Sequence, residues 1–291
     1  MIRTRTGSRF RSMKPSSISS VPSSRSGKSA LQVATQVALE AGDILLERFS
    51  GKKQIDYKAG RANIVTDVDM LVDKHVIGTL RSEYPEFGIV SEESEAIAGD
   101  APFTWIVDPL DGTNNYAFGI PCFCVNVALA QGEEVLLGLT HDPMRKETFR
   151  AEKGAGAFLN DRAICVSQKQ LVSAAFIGCD MGYDADRGRQ VLDVIMSLWP
   201  NIHGLRILGS AALGLAYAAC GRLDLYLQPQ LFPWDVAAGI LLVSESGGKV
   251  TDWAGKPAGV QSQRVIAGND LLRDEFSRLV HEAGTPLASF V

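Results

Sequence analysis

Apolar residues recur at helical spacing over residues 29–50, at Leu31, Ala34, Val37, Ala38, Ala41, Ile44, Leu45 and Phe49, and Gly51 stops the run. The pattern predicts an amphipathic helix with one face toward a core. "NIVT" (63–66) reads as a short strand, and "DVDMLVDKHVIGTLRSEY" as a second helix that opens on Asp67 with acidic residues in its first turn. "FGIVSEES" is a short buried strand running into Glu92 and Glu93, and residues 103–107 form another that stops at Asp108. From Cys122 to Val166 the chain turns β-rich: "CFCVNVALA", "VLLGLTHD", "ETFRAE" and "AICVS", separated by turn residues, predict an antiparallel meander.

After about residue 170, the short strands "AAFIGCD", "LRILGS", "LDLYLQ", "GKVTDW" and "RVIAG" alternate with helical stretches at 184–198, 210–221, 234–246 and 270–283. Alternation of this kind favours an α/β sheet. The fold class is therefore α/β, with an α+β half over 29–168 and an α/β half over 169–291. No Pro/Gly/Ser linker separates them, so they are expected to pack as one body.

Composition narrows the picture. The chain has 291 residues, 46% hydrophobic and 21% charged, which is ordinary for a packed core. A formal net charge of −4 gives no reason to expect nucleic acid as the main partner. No apolar run approaches the roughly 20 residues of a membrane span. The cysteines, 5 in number and scattered, show neither a disulfide framework nor a zinc pattern, which suits a reducing cytoplasm. Residues 1–28 are rich in Ser and Arg, lack Asp and Glu, and have no apolar stretch for a secretory signal. They are expected to be a disordered or non-native tail outside the fold, and their composition also suits an organellar transit peptide.

Candidate chemistry lies where apolar segments stop at carboxylates: Glu92 after "GIVS", Asp108 and Asp111 after "TWIV", and Asp235 in "FPWDVAAGILLVSESGG". Carboxylates gathered together cannot all stay ionised unless cations neutralise them. Oxygen ligands with no nearby His or Cys favour a hard cation such as Mg²⁺ over Zn²⁺. In "DPLDGTNNY", Pro109 stiffens a turn, and the Leu110 carbonyl between the two aspartates offers a further oxygen. Gly112-Thr113-Asn114 reads as a helix start, whose free N–H groups attract an anion while glycine lets it approach the backbone. Metal carboxylates followed by a phosphate cradle point to metal-assisted phosphoryl hydrolysis. Taken singly, "DPLDGT" could be a capped turn and Asp235 a helix cap.

"DPLDGTNNY", with "SEES" upstream and "WDVAAGILLVSESGG" downstream, resembles the inositol monophosphatase family of Mg²⁺-dependent, lithium-sensitive phosphatases. "NIVTDVD" and "GSAAL" (209–213) resemble further segments of it, and the similarity spans about residues 30–283. The resemblance implies a layered αβαβα sandwich, a homodimer, and Glu92, Asp108, the Leu110 carbonyl, Asp111 and Asp235 as metal ligands. It implies that Thr113, oriented by Asp69, helps Glu92 activate the attacking water. It implies that Gly112 and Thr113 bind phosphate through their N–H groups, that Gly209, Ser210 and Ala211 line the substrate side, and that Lys58 lies near the site. Gln228 stands where inositol-specific members carry a glutamate, and Tyr183 replaces a small polar residue, so the reaction is better defined than the substrate. The expectation is a Mg²⁺-dependent phosphomonoesterase of a small polyol phosphate, by default inositol monophosphate. Histidinol phosphate, fructose 1,6-bisphosphate and a 3′-phosphonucleotide stay open, as does a non-enzymatic role as a binding partner in a transcription complex. Arg187 and Arg189 read as a solvated helix face or as contacts to a second phosphate or carboxylate.

Overall fold

The computed structural model describes residues 21–59, 63–285 and 287. The first 20 residues of the expected tail lie outside that range, but residues 21–28 lie against the fold. Ser24 is buried, the Arg25 N–H donates to the Glu83 carbonyl at 3.0 Å, and the Ser26 hydroxyl donates to the Glu83 carboxylate at 2.7 Å.

Helix α1 (Ala30–Phe49) starts at Ser29, whose hydroxyl and backbone exchange hydrogen bonds with Gln32 in a capping box. Val33, Ala34, Val37, Ala38, Ala41 and Leu45 form its buried face. A two-stranded hairpin follows, β1 (Ile55–Ala59) against β2 (Asn63–Thr66). Strand β1 was not expected, because "IDYKA" shows no buried alternation; Tyr57 is 68% exposed. Thr66 caps α2 (Asp67–Glu83), with Asp69 as the reciprocal partner.

The chain then builds a seven-stranded sheet in sequence order. It comprises β3 (Gly88–Ser91), β4 (Phe103–Asp111), β5 (Cys124–Gln131), β6 (Glu134–Asp142), β7 (Glu147–Glu152), β8 (Gly156–Leu159) and β9 (Arg162–Ala163). Only β3 and β4 pair in parallel. The short helix α3 (Thr113–Ala117) follows β4 directly. Two expectations are corrected here. The turn expected at Asp108–Asp111 is the end of β4 itself, and of "AICVS" only Ala163 joins a strand.

A five-stranded sheet follows, from β10 (Phe176–Cys179), β11 (Gly204–Ile207), β12 (Leu225–Gln228), β13 (Lys249–Thr251) and β14 (Val265–Gly268), in the order β11-β10-β12-β14-β13. Helices α4 (Ala185–Leu198), α5 (Ala211–Ala219), α6 (Pro233–Glu245) and α7 (Asp270–Glu282) complete the chain.

The layers follow from which faces are apolar. Helices α1 and α2 cover one face of the seven-stranded sheet, and α4 and α7 cover the outer face of the five-stranded one. Helices α5 and α6 are apolar nearly all round and lie between the sheets, giving αβαβα. One core cluster joins Ile106, Ala128 and Phe149 of the first sheet to Leu215, Ala238 and Leu242 of these helices. The contact is close: a Cβ on Gly138 of β6 would lie 2.7 Å from the Ala238 carbonyl oxygen of α6. Gly138→Ala is therefore expected to lower stability by about 1–3 kcal/mol through overpacking. Denaturant titration measures this, and an unchanged midpoint contradicts the close sheet–helix contact.

Candidate active site

The end of β4 sets the geometry. Residues three apart on a regular strand point to opposite faces. Here Asp108 pairs with Asn126 and Asp111 with Cys124, so β4 carries one extra residue across the register shift. Pro109, which has no N–H to give the ladder, sits in this bulge. The added residue turns both carboxylates toward one cleft. The Asp108 carboxylate accepts the Leu110 N–H at 3.0 Å, which fixes its rotamer.

Strand β3 delivers Glu92 beside β4, and the Glu92 N–H donates to the Val107 carbonyl at 3.2 Å. The first turn of α6 delivers Asp235, held by the Phe232 N–H at 2.7 Å. One carboxylate oxygen each from Glu92, Asp108 and Asp235 lie within 4.8 Å of one another. Burial pushes the Asp108 and Asp235 carboxyls well above the usual range, and the neighbouring charges of Glu92 and Asp111 push them further. Burial also raises Glu92, against the lowering pull of Lys58.

Lys58 of β1 reaches Glu92 at 2.9 Å and Glu93 at 2.6 Å, so the hairpin that the sequence pattern hid supplies the cluster's cation. Burial opposes the Lys58 charge, but Glu92 and Glu93 outweigh it and raise its affinity for its proton. Glu93 is itself pushed up to about 7 by burial and by Glu92.

Asp111 stands slightly apart from the trio. Its carboxylate accepts the Ser210 hydroxyl and the backbone N–H groups of Ala211 at 3.2 Å and Ala212 at 3.0 Å. The Cys124 thiol lies 3.5 Å away. Asp111 therefore joins the end of β4 to the start of α5. Burial raises its carboxyl, while Ser210 and these N–H groups hold it down.

Thr113 follows at the start of α3. Its hydroxyl lies 3.1 Å from the Asp69 carboxylate and 3.0 Å from the Leu110 carbonyl. Asp69 thus acts both as the capping partner of Thr66 and as the partner of Thr113, a buried carboxyl raised chiefly by desolvation. Gly112 has φ +92°, and a Cβ there would lie 2.9 Å from the Cys122 carbonyl oxygen, so the turn requires glycine. The expected helix is only five residues long. What it offers an anion is individual N–H groups rather than a developed macrodipole.

Glu92, Asp111, Gly112, Thr113 and Asp235 line a cleft of about 260 Å³, shared with Gly209, Ser210, Ala211 and Gln228. Gln228 is buried and its Oε1 has no hydrogen-bond partner among the described residues. Tyr183 and Phe232 stand half exposed at the mouth, with Phe232 stacked on Trp234 at 5.2 Å.

Three supporting residues were missed from the sequence. Gln230 receives the N–H groups of Tyr183 and Asp184 at 2.9 and 3.0 Å. Asn115 donates to the Cys122 and Leu208 carbonyls at 2.8 and 2.7 Å, tying α3 to the approach of α5. Asp180 accepts the Gly209 N–H at 2.6 Å and the Tyr226 hydroxyl at 2.8 Å. Asp180 was findable, because "AAFIGCD" is another apolar run that ends in a carboxylate.

Burial pushes Asp180 up to about 6 from its unfolded 3.8. The folded state therefore holds the proton more tightly than the unfolded state. The associated stability is complete below the unfolded value and is lost as pH rises through about 6. Asp180→Asn keeps both contacts, with its amide donating to the Tyr226 oxygen. In EDTA it is expected to exceed wild-type stability above pH 6, by about 2–3 kcal/mol at most, and to match it near pH 4. Thermal unfolding against pH measures this, and a less stable variant at pH 7.5 contradicts it.

A model of the inositol monophosphatase family matches residues 28–285. An inositol monophosphatase of Dictyostelium discoideum is 38% identical over 263 residues, covering 88% of this chain and 96% of the relative. The Nus factor SuhB of Xylella fastidiosa is 35% identical, with 88% and 96% covered. The crystal structure of the extragenic suppressor protein suhB of Bartonella henselae superposes with a TM-score of 0.82 at 37% identity, covering 86% of this chain and 97% of that one.

Proposed function

Since this chain belongs to the inositol monophosphatase family and is thereby a phosphomonoesterase, we propose that it uses Mg²⁺ to hydrolyse a small polyol phosphate, with inositol monophosphate as the first substrate. The observation that carries this reading is the convergence of Glu92, Asp108 and Asp235 within 4.8 Å. The donor set is all oxygen, which suits a hard cation. The upward push on these carboxyls marks negative charge that the protein leaves largely uncompensated, so the residues fit the metal. Glu92, Asp108 and Asp235 would hold it, with Asp111 and the Leu110 carbonyl completing the set. Bound there, divalent cations supply charge for the phosphoryl oxygens and make water acidic enough to attack at neutral pH.

The chain's own groups do the rest. The N–H groups of Gly112 and Thr113 hold phosphoryl oxygens at the start of α3. Thr113 Oγ accepts a proton from the attacking water and passes its own to Asp69, whose raised carboxyl suits it to hold one. Gln228 faces the leaving alcohol with a neutral amide, whose oxygen accepts from a hydroxyl and whose nitrogen donates to one.

The purified protein is expected to release phosphate from inositol 1-phosphate with Mg²⁺, to stop in EDTA and to be inhibited by lithium. Asp111→Asn is expected to cut turnover by about a hundredfold or more while the fold persists. Near-wild-type turnover in that variant would sink the site assignment. If inositol 1-phosphate is inert while histidinol phosphate, fructose 1,6-bisphosphate or a 3′-phosphonucleotide is cleaved, the reaction stands and the polyol reading falls.

A second reading rests on the relative named a Nus factor: the same fold also serves as a binding partner in a transcription complex. A partner captured equally by wild type and Asp111→Asn supports a role independent of the metal site, and capture of no transcription component by either contradicts it.

A further inference from the structure

Away from the cleft, a cavity of about 300 Å³ opens between the first turn of α4 and the segment leading into β14. Arg187 and Arg264 line it together with Trp253, Ser262, Gln263 and Asp252. The cleft and this cavity share no lining residue. Between them runs the Tyr183–Asp184 turn, pinned to Gln230.

The two guanidiniums face the same cavity without a carboxylate in ion-pair contact. Arginine ion pairs among the described residues involve Arg145, Arg150, Arg222, Arg273 and Arg278, not Arg187 or Arg264. Both Nη atoms of Arg187 converge on one neutral acceptor, the side-chain amide oxygen Oε1 of Gln263, at 3.2 Å. Arg264 Nη1 is shut off from solvent and has no hydrogen-bond partner among the described residues. The Arg264 guanidinium lies 5.7 Å from the centre of the Trp253 ring, which orients its plane. Burial, and then the charge of Arg187, weaken the hold of Arg264 on its proton, against the opposing pull of Asp184.

The nearby acids offset the pair only in part: the charge of Asp184 favours that of Arg264, and Asp252 lines the cavity, but neither forms an ion pair with Arg187 or Arg264. Asp184 Oδ1 caps α4 by accepting the Asp186 and Arg187 N–H groups at 3.0 and 2.9 Å. Asp252 Oδ1 accepts the Lys256 N–H at 2.8 Å. Ser262 adds a hydroxyl that accepts from the Gly259 N–H at 3.0 Å and so keeps its own hydrogen to donate. With Gln263 Oε1 engaged, the amide nitrogen of that side chain is also a donor. Two oriented guanidinium forks, a hydroxyl and an amide around a small cavity form a donor set for a tetrahedral or planar oxyanion. A buried N–H without an acceptor beside a like charge is a group that native structures explain by a ligand or ordered water.

We propose that Arg187 and Arg264 form a second anion site, separate from the hydrolytic cleft, for a small molecule bearing a doubly charged oxyanion group such as a phosphate or sulfate. The test uses sulfate as probe on full-length protein in EDTA. Without metal, the cleft's carboxylates repel a dianion, so binding reports the arginine pair. Sulfate is expected to raise the melting temperature by about 2–4 °C over chloride of equal ionic strength, as tenfold saturation would. Arg264→Gln and Arg187→Gln are each expected to weaken sulfate binding about tenfold or more, while Arg162→Gln, at an exposed position, leaves it unchanged.

No sulfate effect in wild type, or an equal effect in all three variants, overturns the site and shows only general salt stabilisation. If Arg264→Gln unfolds, Arg187→Gln decides alone, since Arg187 lies on the helix surface. Turnover separates a free ligand from a distal group of the substrate. Both variants are expected to keep the wild-type KM for inositol 1-phosphate and for fructose 1,6-bisphosphate. A KM raised only for the bisphosphate would place the pair in the substrate cleft and end the claim of separateness. Loss of the hydrolytic reading by itself leaves the sulfate result intact.

Discussion

Like charges brought together in a dry place repel, and this repulsion governs the architecture around the cleft. Glu92 at the end of β3 and Asp108 of the next strand, β4, meet Asp235 of α6, far along the chain, within 4.8 Å. A fold does not bring buried carboxylates together for stability, since each charged form loses hydration that its neighbours do not return. The surrounding structure has to hold them there, and it does so with layers rather than with counter-charge. Lys58 is the cation in ion-pair contact with the group, and it contacts Glu92 and Glu93 rather than Asp108 or Asp235. The remaining negative charge is what the proposed divalent cation would offset.

The layered fold explains how the carboxylates are held. The bulge at Pro109 turns Asp108 and Asp111 to one side, and the apolar helices α5 and α6 press against the sheet through small residues such as Gly138 and Ala238. Because those helices are wedged between two sheets, their first turns cannot drift. Asp235 and Ser210 are therefore fixed relative to β4. Asp111 accepting from Ser210, Ala211 and Ala212 is the polar bond that records this docking. The start of α3 is tied in through Asn115 and the Gly112 turn. Catalytic geometry here is a consequence of interior packing, so a change in the middle layer reaches the cleft.

Much of this was legible in the sequence for a physical reason. Apolar runs that stop at a carboxylate mark strand or helix ends facing a cleft, and that rule located Glu92, Asp108, Asp111 and Asp235. Helical periodicity placed α1, α2 and α4 to α7. What was hidden depended on relations between distant segments. Strand β1 has no apolar alternation because it lies in an exposed hairpin, yet it carries Lys58. The aspartate pair read as a turn because Pro109 is a turn residue, and only pairing with β5 shows it to be a bulge inside a strand. The family resemblance already paired Asp69 with Thr113, whereas Asp180, although it ends an apolar run as the others do, was not singled out. Their roles toward Thr113 and Gly209 exist only after the chain has brought together positions that are 44 and 29 residues apart.

The chemistry of the cleft divides along the same line. Where phosphate would lie, charge and N–H groups are dense and leave little choice of reaction. Where the alcohol would leave, the wall is neutral: Gln228 has an amide oxygen with no protein partner, and Tyr183 and Phe232 frame the opening. A buried acceptor without a donor discriminates mainly by what it lacks, because a leaving group with a hydroxyl at that position satisfies it and one without does not. Being uncharged, the amide adds nothing to the repulsion among the nearby carboxylates, whereas a glutamate there would add to it. On the proposed reading, the neutral residue would spare the metal site one more charge and would recognise the alcohol by hydrogen-bond direction rather than by charge.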